Sequence, residues 1–186
     1  RLRGLGSRGD LCERAEKLGG PMTSRDMRVR PTTIGTMICS ALRHALHVDA
    51  VLLNAGGIRG DSEYPPHHQY FTFGDLKREL PFESEIVVAR MPGQVIKDMV
   101  AFSREHAPLA KSMFLQLDDA CVVAEDGVTL TTVHGRPIKP ESEYSVGLLF
   151  TSLAGMDNIE PLLEWRESNP DKVPPEDSGI PVKVLL

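Results

Sequence analysis

Apolar residues recur at three- and four-residue spacing through Ile34, Met37, Ile38, Ala41, Leu42, Ala45 and Leu46. That period places one stripe on one face of an α-helix, and Thr32 or Thr33 is positioned to cap it. A second stripe, Val95, Ile96, Met99, Val100 and Phe102, follows Pro92. Proline suits a first helical turn, so the spacing predicts a helix from there to about His106 and Pro108. Thr72 is the expected cap of a short helix over 73–79 that Pro81 ends. Residues 159–165 form a further helix, and a short one fits 11–18 before Gly19-Gly20-Pro21 breaks it.

The other rhythm is that of strands. Val51-Leu52-Leu53 is an uninterrupted apolar run that stops at Asn54-Ala55-Gly56-Gly57-Ile58-Arg59-Gly60-Asp61. Such a run bounded by glycine fits a buried strand, and the glycines let backbone approach a ligand with no Cβ in the way. Further strands are expected at 85–91, 113–117, 120–124, 128–133, 144–150 and 180–186, with Glu125-Asp126-Gly127 as a hairpin turn. Residues 62–69, 136–143 and 169–179 read as polar, proline-containing loops. Helices and strands do not alternate regularly, so the fold class is α+β: a mixed sheet with packed helices and β-hairpins.

Length and composition narrow this picture modestly. The 186 residues, 41% hydrophobic and 25% charged, suit one globular domain. A net charge of −5 argues against a dedicated nucleic-acid binder. No apolar run approaches a membrane span, and the first residues do not form a signal peptide. Beginning without Met, the chain reads as a piece of something longer. Cys12, Cys39 and Cys121 have no metal-site spacing, and Cys39 and Cys121 fall in apolar patterns where an inert buried thiol is expected. Two Arg-Gly-Asp tripeptides, at 8–10 and 59–61, are too short to carry weight.

Candidate chemistry lies on the turns. Asn54 and Arg59 follow one strand, Asp157 follows another, and Phe82 sits on the Leu80-Pro81-Phe82-Glu83-Ser84 turn. Arg59 offers a planar fork of donors to phosphate or sugar hydroxyls, Asp157 accepts from hydroxyls or ring N–H groups, and Phe82 offers a stacking face. Arg28 and Arg30 precede the N-terminus of the first long helix, where anions are favoured. Each has a plainer alternative: a solvated arginine, a core aromatic. His67-His68 lacks a third ligand at useful spacing. There is no P-loop, two-histidine helix motif, nucleophile elbow or carboxylate–histidine series for two metals, and hence no self-sufficient catalytic machine.

Asn54-Ala55-Gly56-Gly57-Ile58-Arg59 resembles the Asn-Gly-Gly-Gly-Ile-Arg motif of the C-terminal domain of 5′-nucleotidases, the family that includes ecto-5′-nucleotidase and bacterial UDP-sugar hydrolase. The flanking segments occur in the family's order: Ile34-Gly35-Thr36-Met37-Ile38, Phe73-Gly74-Asp75-Leu76, Leu80-Pro81-Phe82, Pro92-Gly93-Gln94-Val95-Ile96 and Phe114-Leu115-Gln116-Leu117. The resemblance implies that 28–186 is a substrate-binding domain preceded by a linker or extension at 1–27. It also implies an N-terminal metallophosphoesterase domain, absent here, that carries two divalent metal ions and the catalytic residues. This chain itself would hold no metal and no catalytic group. The ligand would be a nucleoside monophosphate or related nucleotide. Carried over by motif, Arg28, Asn54, Gly56, Gly57, Arg59 and Asp157 would hold the substrate, with Phe82 as one wall of a base-stacking clamp and Phe150 the candidate for the other. The departures are Gly155-Met156-Asp157-Asn158-Ile159 in place of a glycine-rich segment, and Thr151 where the family has Phe, with Phe150 one residue away. They leave open a non-catalytic binding module whose nucleotide site has decayed. The family context also implies an extracellular, periplasmic or surface-anchored parent.

Overall fold

The computed structural model describes residues 20–186 apart from 66–69, 106–108 and 110. Cys12, the helix expected at 11–18 and His67-His68 lie outside the described residues. Strand β1 (Met22–Thr23) leads into α1 (Thr33–Leu46), whose cap is Thr32: its hydroxyl accepts from the Gly35 N–H at 3.1 Å. β2 (Ala50–Asn54) ends in a single 3₁₀ turn, Ala55–Gly57, before β3 (Glu63–Tyr64) pairs with β1. α2 (Phe73–Glu79) carries a reciprocal capping box, Thr72 with Asp75.

β4 (Glu85–Pro92) and α3 (Gly93–Arg104) follow. Pro92 closes the strand and caps the helix, one position earlier than its expected place inside the first turn. Next come β5 (Leu115–Leu117), β6 (Val122–Val123), β7 (Leu130–Val133) and β8 (Arg136–Pro137). The segment 136–143, expected as loop, thus contributes a strand: His134 and Gly135, both at positive φ (52° and 69°), turn β7 back onto β8. β9 (Glu143–Leu149) ends one residue early, and Phe150 opens α4 (Phe150–Leu153). α5 (Glu160–Ser168), β10 (Ile180–Pro181) and α6 (Val182–Leu185) complete the chain.

The terminal strand expected over 180–186 is therefore only two residues long. Val182 and Leu186 are buried while Val184 is 76% exposed, which is helical spacing, and the buried pair joins the core beside α1. With apolar residues at every position but Lys183, the segment 182–186 satisfies either period, and docking on α1 selects the helix.

Five strands form one sheet in the order β10-β4-β9-β2-β5. β2 runs parallel to β9, and the remaining neighbours are antiparallel. β2 is buried at every residue because both faces are covered. Val51 and Leu53 pack with Ile34, Met37, Ile38 and Leu42 of α1, and Ala50 and Leu52 pack with Ile96, Met99 and Val100 of α3 and Leu162 and Trp165 of α5. Burying each of the larger aliphatic side chains is worth about 2 kcal/mol, so the α1 stripe anchors one face of the sheet. Cys39 and Cys121 lie against buried Asp118, and burial pushes both thiols up, keeping them protonated and inert near neutral pH.

Candidate functional site

Strand polarity decides which turns meet. Because β2 and β9 are parallel neighbours, with Leu52 opposite Leu148, both end at the same edge of the sheet. Antiparallel β4 starts there, Ile86 opposite Leu149, and antiparallel β5 starts there too, Leu115 opposite Asn54. The turns holding Asn54, Phe82, Ser112 and Asp157 therefore gather on one edge, the carboxyl end of the parallel pair where α/β sheets place ligand crevices.

Asn54 is buried at the end of β2, and Asp157 is only 8% exposed in the turn after α4. Ser152, buried between them, has its hydroxyl 3.3 Å from Asn54 Oδ1 and 3.2 Å from Asp157 Oδ2. One hydroxyl proton serves these two acceptors, so the three groups share a single polar node. Gly56 lies at its centre. A Cβ there would stand 2.8 Å from Ser112 Cβ, 3.1 Å from Asn54 Nδ2 and 3.5 Å from Asp157 Oδ1, so only glycine lets the turn pass so close. Its N–H donates to the Ser112 carbonyl at 2.9 Å, which fixes the turn against the approach to β5.

Phe82 is 49% exposed, far more than a core aromatic. With Asn54, Gly57, Ile58 and Leu149 it borders a small pocket. The Arg59 guanidinium stands 5.3 Å from the ring centroid, and its Nε donates to the Gly56 carbonyl at 2.9 Å. Arg59 thus presents a held cation at the rim. On its other side Arg28, Arg59, Ser24, Asp26 and Asp61 border an open groove of about 370 Å³. Asp26 is occupied by Arg30 at 2.9 Å, so Arg30, expected beside the anion site, is spent on an ion pair while Arg28 faces the groove.

Arg28 is held by a residue that the sequence reading named only as part of a motif. Gln116 on β5 is fully buried; its Nε2 donates to the Met27 and Arg30 carbonyls at 2.7 and 2.8 Å, and its Oε1 accepts from the Thr32 N–H at 2.9 Å. Of the candidate residues, Asn54, Gly56, Gly57, Arg59, Phe82 and Asp157 cluster at the sheet edge and Arg28 lies across the groove. Phe150 does not join them: it is partly buried against the core cluster of α3 and α5 and borders neither pocket. Ser152 and Glu79 were missed, since neither belongs to a motif and only burial marks them. Among the described residues no group of three or more His, Cys, Asp or Glu side chains fits a metal ion, and no helix is long and apolar enough to cross a membrane.

The fold recurs in solved structures of low sequence identity. A 5′-nucleotidase precursor from Thermus thermophilus superimposes with a TM-score of 0.59 at 19% identity, covering 84% of this chain and 35% of that one. The NAD nucleotidase NadN of Haemophilus influenzae gives 0.59 at 18% identity, with 89% and 32% covered. The Thermus thermophilus sulfate thiohydrolase SoxB gives 0.52 at 16% identity, with 96% and 33% covered. The chain spans about a third of the length of each. No curated protein sequence matches it. The sequence profile of the 5′-nucleotidase C-terminal domain does match, over residues 13–164, which is most of the chain. The motif order along the sequence, the sheet that gathers those motifs on one edge and the profile agree: this chain belongs to the 5′-nucleotidase C-terminal domain family.

Proposed function

We propose that the chain is the nucleotide-holding half of a 5′-nucleotidase-like hydrolase. The observation that carries this reading is the gathering of Asn54, Asp157, Phe82 and Arg59 on one sheet edge, with Arg28 across the adjoining groove. In this reading the base stacks on the exposed face of Phe82, and Asn54 and Asp157 accept from or donate to ribose hydroxyls. Arg59 and Arg28 offer donors to the phosphate end. Hydrolysis is assigned to a separate metallophosphoesterase domain of the parent protein, since the described residues do not fit divalent metal ions. Such ions would supply an activated water for attack on phosphorus. This domain's share is to bind and orient the ester.

A second reading is a binding module with a decayed nucleotide site. It is favoured by Phe150, which packs against the core and leaves the clamp one-sided, and by Met156, 76% exposed in the turn that carries Asp157. A metal-free NMR titration of the chain with adenosine and AMP separates the two. Saturable amide shifts at Asn54, Phe82 and Asp157 support a nucleotide site, and unchanged spectra at millimolar ligand support the decayed one.

A further inference from the structure

Glu79 is a carboxylate with 0% exposure at the end of α2, and its neighbours come from three segments. Oε1 accepts from Ser24 Oγ at 2.9 Å and from the Tyr64 hydroxyl at 2.7 Å. Oε2 is shut away from solvent with no hydrogen-bond partner, and it lies against Gly60, where a Cβ would collide with the carboxylate. The Glu79 carbonyl accepts from the Arg59 N–H at 2.7 Å. Ser24 is tied in turn to Ser62: its N–H donates to the Ser62 carbonyl and its hydroxyl accepts from the Ser62 N–H, both at 2.8 Å. One side chain thus fastens the 24–29 arm, which carries Arg28, to the 59–64 turn, which carries Arg59. Ser24, Arg28, Arg59 and Asp61 border the same groove. Burying a carboxylate costs more than burying an alkyl chain of the same size, so stability alone does not explain an acid here.

We propose that Glu79 is a positioning residue of the Arg28–Arg59 groove, holding the two arginine-bearing segments at the separation that receives an anion, so that anion affinity changes with the state of its carboxyl. The inference rests on the reading of this groove as the phosphate end of a nucleotide site. The ionisable groups around Glu79 are Tyr64 on β3 and Arg78 on its own helix, with Asp75 beside Tyr64; Ser24 and Gly60 bring no charge. Burial pushes the Glu79 carboxyl above the usual range, while the hydrogen bonds from Tyr64 and Ser24 and the charge of Arg78 only partly restrain it. The buried, fastened state therefore holds the proton more tightly than an opened, solvated one, so protonation favours the fastening and it loosens as pH rises.

The test is an NMR titration of the chain with sodium sulfate, which stays doubly charged throughout, between pH 5 and 8. Wild-type affinity at the Arg28 and Arg59 amides should fall about tenfold as pH rises, in step with the Ser24 and Gly60 amides. Glu79→Gln, which cannot titrate, should lose this pH dependence. If that variant fails to fold, the wild-type profile decides alone: sulfate affinity that does not follow the Ser24 and Gly60 titration overturns the proposal. So does equal affinity in both proteins across the range, and so does the absence of sulfate shifts in the wild type. Failure of the underlying reading looks different, because AMP then shifts no site amide in the wild type even at pH 5, and both ideas fall together. AMP binding that is indifferent to pH and to Glu79→Gln overturns only the role of Glu79.

Discussion

Replacing Gln116 with Met keeps the length and volume of a fully buried side chain and removes its amide. Four contacts go with it: the bonds to the Met27 and Arg30 carbonyls, to the Thr32 N–H, and the 3.3 Å contact to Thr32 Oγ1. Thr32 Oγ1 keeps the Gly35 N–H as a partner. The Arg30 carbonyl belongs to an exposed residue that water reaches. The Met27 carbonyl and the Thr32 N–H are left buried and unpaired, at about 1–3 kcal/mol each, for a destabilisation of about 4 kcal/mol. Cavity formation adds little because the swap conserves volume. With a urea slope of about 2 kcal/mol per molar, the unfolding midpoint should drop by about 2 M. Amide exchange at Thr32 should quicken, and AMP affinity should fall as the 27–32 loop releases Arg28. A midpoint change under about 0.5 M with an unchanged slope would refute the reasoning, because the loop would then hold without the carboxamide.

Four further outcomes follow from the same geometry. The folded-state carboxyl of Glu79 is raised by burial, so the native state binds its proton more tightly than the unfolded chain. The stability contributed by this group is full below the ordinary carboxylate pKa of about 4.3 and declines as pH rises through the raised folded value. Urea midpoints of wild type and Glu79→Gln between pH 4 and 7 should diverge with that sign, and an opposite divergence rules it out. Phe82→Leu should cost under about 1 kcal/mol of stability, since the ring is half exposed and the Arg59 contact is worth about that much, yet weaken AMP binding about tenfold through lost base stacking; calorimetry reads both. Gly56→Ala places a methyl 2.8 Å from Ser112 Cβ and 3.1 Å from Asn54 Nδ2, which should cost about 1–3 kcal/mol in thermal unfolding and displace Asn54 from the ligand. Finally, the chain incubated with AMP and Mg²⁺, Mn²⁺ or Zn²⁺ should release no phosphate above background. Metal-dependent turnover by the pure chain would contradict the assignment of hydrolysis to another domain.

Local information in the sequence was sufficient for most elements. The stripe from Ile34 to Leu46 with Thr32 before it specifies a capped helix because helical periodicity and capping are interactions within a few residues of each other. The same holds for Thr72 with Asp75 and for the apolar run that stops at Asn54. Motif order was likewise written in the chain, and with it the family. What only the tertiary structure decided was every relation between distant segments. The parallel pairing of β2 with β9 brings Asn54 to Asp157, and Ser152 becomes the bridge only once those two strands share an edge. Thr151 stands where the family has its second stacking ring and Phe150 is the aromatic one residue away, yet α4 turns Phe150 toward the core. Val182, Val184, Leu185 and Leu186 fit strand or helix until α1 supplies a surface for them. Gln116 and Glu79 look in the sequence like ordinary polar positions, one in a strand and one at a helix end. Their importance comes from burial against partners up to 89 residues away, and hydrogen bonding across the fold, unlike periodicity, leaves no trace along the chain.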